Sequence, residues 1–199
     1  MRIAVIIPSY NEADNISFVT QMIDRGLLLA LKKFPKISEA IIINVDSSSQ
    51  DNTRKIFQKT KTNFLKLSLQ TKGRPGKGKN LIYFLKKYYK KYDIFITLDA
   101  DLKSIKVDWM IKLIAPFFCE GKDCDFVWPL YKRSRFEGST TIHFAYPIIY
   151  SFFKLEVRQP IAGDFAFSQR LAAKIIFNQI PEAAFYYGID ILFSIRAAQ

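Results

Sequence analysis

The sequence predicts an α/β fold, a mostly parallel central sheet flanked by helices, and three observations carry that prediction. Apolar runs of strand length recur at 3–7, 40–45, 64–69 and 94–98. Segments with apolar residues at helical spacing lie between them. Each run also ends in a polar or glycine-containing loop, the alternation expected when helices cross over between parallel strands.

Residues 3–7 are apolar without interruption and meet Pro8, which fits a strand covered on both faces. Asp14 or Asn15 can cap the next helix, whose apolar positions Phe18, Val19, Met22, Ile23, Leu27 and Leu31 repeat at helical spacing up to Pro35. A second buried strand at 40–45 runs into the polar loop 46–52, which caps a short helix over 53–59. A third strand, the loop Gly73-Arg74-Pro75-Gly76-Lys77-Gly78, a helix over 80–88 and a fourth strand complete the first half. Beyond Asp101 the pattern predicts a helix over 107–118 and a strand over 126–130. Then come a helix over 140–153 kinked or interrupted at Pro147, a loop and strand within 158–167, and helices over 169–177 and 189–198. No internal repeat or low-complexity linker divides the chain, so residues 1–199 read as one domain. The closing helical pattern stops without a capping signal, which predicts a chain cut from a longer protein at its C-terminus.

Composition narrows the classes further. At 49% hydrophobic and 15% aromatic residues the chain is not a disordered one. Its net charge of +12 favours an anionic partner: a nucleotide, a phosphorylated acceptor, nucleic acid or an acidic membrane surface. No RNA-binding signature or zinc-finger spacing accompanies the charge, so no nucleic-acid partner is expected. Lysine pairs such as Lys32-Lys33, Lys86-Lys87 and Lys90-Lys91 read as solvated helix faces.

Cys119 and Cys124 read as reduced thiols of a cytoplasmic protein, and with His143 as the sole histidine they lack the companions of a metal site. The N-terminus is a strand and not a signal peptide. The longest uncharged stretch, 138–153, is too short to span a bilayer but can lie against a membrane, so the protein is expected in the cytoplasm with peripheral membrane contact open. Its aromatic residues Phe144, Tyr146, Tyr150, Phe152 and Phe153 read first as core, with an acceptor groove or membrane-facing surface as the rival; His143 reads as a core or interface residue.

Ligands of an open parallel sheet gather beyond the carboxyl ends of its strands, and four features fall there. Pro8-Ser9-Tyr10-Asn11-Glu12 exposes Tyr10 for stacking on a base and Glu12 for hydrogen bonds to base or ribose; a plain turn into a helix cap explains it equally. Asp46-Ser47-Ser48-Ser49 can receive a base edge, or simply cap a helix. In Arg74-Pro75-Gly76-Lys77-Gly78-Lys79-Asn80 the glycines let backbone N–H groups approach a phosphate, while Lys77 and a helix start add positive charge. It is not a Walker loop.

The fourth, Thr97-Leu98-Asp99-Ala100-Asp101, weighs most. Two carboxylates one residue apart, straight after a buried strand, can converge on one point. Mg²⁺ or Mn²⁺ takes one or two protein carboxylates and fills its other positions with phosphate oxygens and water.

With these features in this order the chain resembles a glycosyltransferase of the GT-A (Rossmann-like) fold, family 2-like, through Ile6-Ile7-Pro8-Ser9-Tyr10-Asn11-Glu12 and Thr97-Leu98-Asp99-Ala100-Asp101. It is more closely similar to the mannosylglycerate synthase and glucosyl-3-phosphoglycerate synthase group. Arg74-Pro75-Gly76-Lys77-Gly78, Arg158-Gln159-Pro160-Ile161-Ala162-Gly163-Asp164-Phe165 and Tyr187-Gly188-Ile189-Asp190 carry that likeness. The resemblance implies that Pro8, Tyr10 and Glu12 contact the nucleoside, Asp46 and Ser48 lie near the base and Lys77 meets the nucleotide-sugar. It implies that Asp99 and Asp101 serve ribose and metal, with Asp101 the direct ligand. Gly163 and Asp164 would face donor sugar and acceptor, and Asp190 the acceptor, with Asp164 and Asp190 the candidate catalytic residues.

Two departures stand out. Asp164 occupies a position where the group usually has glutamate, and no later histidine completes the metal site within the chain.

The leading expectation is therefore transfer of a hexose from a UDP- or GDP-sugar to a hydroxyl acceptor. A small phosphorylated or carboxylated acid is a candidate acceptor, with Lys132, Arg133, Arg135 and Arg158 lining its pocket. An inverting family 2 transferase acting on a lipid phosphate or polysaccharide, and a non-catalytic nucleotide-sugar or nucleic-acid binding module, are the alternatives.

Overall fold

A computed structural model describes residues 1–119, 123–132 and 137–199. Strands β1 (Arg2–Ser9), β2 (Glu39–Asp46), β3 (Leu65–Gln70) and β4 (Ile94–Thr97) alternate with helices α1 (Ile16–Lys33), α2 (Thr53–Lys59) and α3 (Lys77–Tyr88). Then follow α4 (Trp109–Ile114), β5 (Phe126–Val127), α5 (Tyr146–Phe153), β6 (Phe165–Ser168), α6 (Gln169–Phe177) and α7 (Ile189–Ala198). They build one six-stranded sheet in the order β3-β2-β1-β4-β6-β5.

The first four strands are parallel, as expected. Strand β6 is antiparallel to β4, pairing Thr97 with Phe165 and Ile94 with Ser168. The start of β6 thus lies beside the end of β4, where the candidate carboxylates are.

Alternation of side chains explains burial on both faces. Ile3, Val5 and Ile7 of β1, Ile42 of β2, Ile94 and Ile96 of β4 and Ala166 of β6 pack under α1, α2 and α4. Ala4, Ile6, Ile43, Val45, Phe95, Phe165 and Phe167 point the other way, against α3, α6 and α7. Stacked rings of Phe95 and Phe167, 5.2 Å apart, carry this second layer across the β4–β6 junction.

The expected elements appear with shifted ends. Pro8 is inside β1, paired with Val45, and does not close it. Helix α3 starts at Lys77, three residues before the expected 80, so Lys77 sits in a first helical turn instead of a loop. The expected helix over 107–118 is α4 followed by a 3-10 turn, Ala115–Phe118, where Pro116 removes an N–H. The expected strand over 126–130 has two residues. Over 140–153 a π-helical turn, Thr141–Ala145, leads into α5, so Pro147 lies in the first turn of a new α segment.

Asp24 ties α1 to the start of β3. It is 4% exposed and accepts hydrogen bonds from the backbone N–H of Asn63 (2.7 Å) and Phe64 (3.1 Å) and from the Asn63 side chain (2.7 Å). Asp24→Ala leaves those donors unpaired and is expected to cost about 2–3 kcal/mol. Chemical denaturation checks this: the midpoint falls with the slope unchanged.

Candidate functional site

Helices α1 and α4, which follow β1 and β4, pack on the same face of the sheet, and a crevice lined by both connections lies beyond the carboxyl ends of the two strands. This first cleft, about 280 Å³, is lined on the β1 side by Pro8, Ser9, Tyr10 and Glu12 and on the β4 side by Asp99, Ala100 and Asp101. Lys77, Asn80, Tyr186, Tyr187 and Asp190 are also on its wall. Tyr10, on the cleft lining, is 44% exposed. Asp101 is exposed, whereas the Asp99 side chain is about one-third so.

Lys77 is the hub of the cleft. Its Nζ lies 2.8 Å from Asp99 Oδ1 and 3.2 Å from Asp190 Oδ1 and donates to the Gly163 carbonyl at 2.6 Å. Burial alone would depress the ammonium's pKa, and a cation at a helix N-terminus is disfavoured by the dipole. The carboxylates of Asp99, Asp190 and Asp164 outweigh both and hold the pKa above the ordinary lysine range. Burial pushes the Asp190 carboxyl up, and Lys77 opposes that rise.

Gly163 is required by geometry. Its φ of +83° is left-handed, and a Cβ there would sit 2.5 Å from Asp99 Oδ2 and 3.2 Å from Lys77 Nζ. Gly76 lines the first cleft, and close packing is a further reason for two glycines of the 73–78 loop. A Cβ on Gly78 would meet the Ala184 carbonyl at 1.7 Å and one on Gly76 the Phe185 carbonyl at 2.4 Å. The Gly78 N–H donates to the Tyr186 carbonyl. These glycines let the 3-10 turn Glu182–Phe185 press on the start of α3, which brings Asp190 to Lys77.

On the other side of Asp99 a second cleft, about 1060 Å³, is bounded by Trp109, Trp128, Leu130 and Tyr131, with Lys106, Lys112 and Lys132. Asp164 is on its wall, 2% exposed. Its Oδ1 accepts from the Asp99 N–H at 2.9 Å, and its Oδ2 is paired with the Tyr131 hydroxyl. Desolvation, reinforced by the Asp99 charge, pushes the Asp164 pKa up to about 7, against the lowering pull of Lys77 and these hydrogen bonds. Asp99 lines both clefts and stands between them.

The structure thus brings together Pro8, Tyr10, Glu12, Lys77, Asp99, Asp101, Gly163, Asp164 and Asp190. It does not place Asp46 or Ser48 on the lining. Asp46 is 1% exposed and accepts from the Ser9 and Ser49 hydroxyls and the Ser49 N–H, tying the ends of β1 and β2. Ser48, at φ +58°, donates to the Thr71 carbonyl. Ser47 lines the cleft instead; its hydroxyl donates to Asn80 Oδ1, which also accepts from Thr71, while Asn80 Nδ2 holds the Val45 carbonyl.

Lys132 lines the second cleft, Arg158 pairs with Glu156 at 3.3 Å away from both clefts, and Arg133 and Arg135 lie outside the described residues. Sequence reading named Asn80 only as the end of the 74–80 segment and missed Tyr186, Trp109 and Tyr131, which carry no local signal.

Residues 4–180 match the family described as Glycosyl transferase family 2. A dolichol-phosphate mannosyltransferase of Pyrococcus furiosus is 25% identical over 193 residues, 90% of this chain and 50% of the relative. Glucosyl-3-phosphoglycerate synthase of Mycobacterium tuberculosis in complex with phosphoglyceric acid is 25% identical at a TM-score of 0.73, over 97% of this chain and 63% of that one. The same enzyme with Mn²⁺, UDP-glucose and phosphoglyceric acid is 25% identical at 0.72, over 97% and 64%. The chain therefore spans between half and two-thirds of the length of these relatives. The expected likeness to the glucosyl-3-phosphoglycerate synthase group holds, in fold and along nearly the whole chain.

Two outcomes follow from the site's geometry. Gly163→Ala is expected to cost about 1–3 kcal/mol through strain at positive φ, and to displace Lys77 from Asp99; thermal unfolding and a structure of the variant check it. A carboxyl whose pKa is about 7 folded and 3.8 unfolded stabilises the fold fully below the lower value, and that stability is lost as pH rises through the higher one. In metal-free buffer, stability is expected to fall between about pH 4 and 7 by an amount that Asp164→Asn flattens, read from denaturation midpoints against pH.

Proposed function

The chain belongs to glycosyl transferase family 2, and on that premise we propose that it transfers a hexose from a UDP- or GDP-sugar to a hydroxyl acceptor with the aid of Mg²⁺ or Mn²⁺. The observation that carries this reading is Asp99 between two clefts, one suited to a nucleotide and one to an acceptor. In the first, Tyr10 offers a ring for the base, Glu12 and Pro8 border the nucleoside, and Lys77 lies where the diphosphate and sugar would end. Asp46 and Ser48 act from behind this wall, fixing the strand ends that carry Ser9 and Ser47.

Asp99 and Asp101 suit a hard divalent cation as oxygen donors. Among the described residues no group of three or more His, Cys, Asp or Glu side chains could hold one, so diphosphate oxygens and water would complete the shell. When bound, such an ion neutralises charge on the leaving diphosphate. Lys77 adds fixed positive charge at the inner end of the cleft, held there by Asp99 and Asp190.

Gly163 lets the backbone pass close to Asp99, and Asp164 turns its carboxyl toward the second cleft. There the lysines Lys106, Lys112 and Lys132 fit a phosphorylated or carboxylated acceptor. Phosphoglyceric acid and UDP-glucose bound together in the mycobacterial relative support this class. The unpaired thiols Cys119 and Cys124 support a cytoplasmic setting.

Asp164 on the second cleft also favours an inverting reading, in which it takes the acceptor's proton; the dolichol-phosphate mannosyltransferase likeness adds a lipid phosphate to the acceptors for that case. NMR of the product anomer decides. Retained configuration supports transfer without a strong side-chain base, and inversion supports Asp164 as the base.

A panel of UDP- and GDP-sugars with Mn²⁺ tests the proposal by thermal shift. One hexose donor should raise the melting temperature, about 2.7 kcal/mol of stabilisation at a hundredfold excess over Kd. Asp101→Ala should abolish the metal-dependent part; donor binding retained with the same metal dependence contradicts the assignment.

A further inference from the structure

Helix α5 and the turns leading into it, residues 139–153, carry an uncharged outer surface. From Gly138 to Phe153 the sequence has no Asp, Glu, Lys or Arg. The helix is docked by a narrow stripe, Thr141, Ala145 and Ile149, each four residues from the next and each buried. Apart from the half-buried Tyr146, the remaining large apolar side chains are exposed: Phe144 is 66% and Phe152 79% exposed, and Ile142, Ile148, Tyr150 and Phe153 are exposed too. His143, expected in a core or interface, is exposed as well, so the core reading of this aromatic cluster does not hold.

A surface helix of a water-soluble domain carries charged residues opposite its docking stripe. Single exposed apolar residues are ordinary, but six on one helix mark an interaction surface.

Charge selects the occupant. The chain carries +12, and Lys132, Lys154 and Arg158 flank the helix in sequence and are exposed. Glu137 and Glu156 are the acidic residues alongside, the latter paired with Arg158. A second copy would bring Lys132, Lys154 and Arg158 close to their own counterparts around this face, whereas anionic lipid headgroups complement them. Lys154 Nζ lies 5.9 Å over the Tyr150 ring, an apolar body with a cationic tip of the kind that reaches from acyl chains to headgroups. At the other end, Glu137 and Gly138 line the second cleft together with Lys106, Lys112 and Lys132, so the helix runs out from the rim of a lysine-bearing opening.

We infer that the outward face of residues 139–153 docks in the plane of an anionic bilayer surface. It lies on the bilayer and does not cross it: no helix among the described residues is long and apolar enough to span a membrane. This concerns where the chain sits and is independent of the proposed transfer reaction.

Sedimentation with vesicles tests it, using phosphatidylcholine alone and phosphatidylcholine with phosphatidylserine. The wild-type chain should partition onto the anionic vesicles and much less onto the neutral ones. Phe144→Ser combined with Phe152→Ser should lower the partition coefficient about tenfold or more, and Lys154→Glu by less. Circular dichroism should show both variants folded, since both rings are mainly exposed.

Phe152→Trp gives a readout that needs no destabilising change: its added emission should be quenched by brominated lipid in anionic vesicles. Binding to neither vesicle, a partition unaffected by the double substitution, or no quenching would overturn the inference. So would sedimentation equilibrium showing a dimer that the double substitution dissociates, which would assign the face to a second copy.

Discussion

A single buried ammonium group organises this site. Lys77 receives Asp99 from the end of β4, Asp190 from the first turn of α7 and the Gly163 carbonyl from the approach to β6. These partners are far apart in sequence, and each is useless to the others without the cation between them. A buried charge that loses a partner typically costs about 3–5 kcal/mol, so the three segments are held to one geometry. Much around the site serves that meeting. Gly78 and Gly76 admit the 182–186 segment that carries α7 into place, and Gly163 removes the Cβ that would strike Asp99.

The antiparallel β6 is the second determinant. In a wholly parallel sheet the strand beside β4 would begin at the opposite edge, and Asp164 would be a strand length from Asp99. Reversal puts Phe165 opposite Thr97, and Asp164 then accepts the Asp99 N–H. A hydrogen-bond network set deeper still has the same result for β1 and β2. Asp46, Ser9, Ser49 and Asn44 lock the two strand ends in register beneath the cleft, and Asn80 fastens α3 to them from below.

Most of the fold was legible because burial on both faces writes a strong local signal. Uninterrupted apolar runs marked β1 and β2, and helical spacing marked α1, α6 and α7 to within a residue or two. Asp99 and Asp101 were legible for the same reason: they follow directly on such a run. Strand direction was not, since β6 looks like any short apolar strand and its orientation is decided by the partner it finds.

The packing role of Gly76 and Gly78 is not legible, because sequence shows the missing side chain but not what fills its place, here the carbonyls of Phe185 and Ala184. Asp46 looked like a ligand contact because a carboxylate after a strand points either to solvent or to its neighbours, and only the fold chooses. The aromatic residues of 142–153 looked like core because hydrophobicity reports a wish for burial without naming what provides it.

On the proposed function, Asp99 and Asp101 would hold a divalent ion only in company with a nucleotide diphosphate, because the described residues offer no third ligand of their own. Electron paramagnetic resonance of Mn²⁺, recorded as the chain is added with and without UDP, tests this directly. The chain alone should leave the free-ion signal nearly intact, and chain and UDP together should remove far more of it than UDP by itself. Tight Mn²⁺ uptake by the chain alone, or no uptake beyond that of UDP, would contradict it.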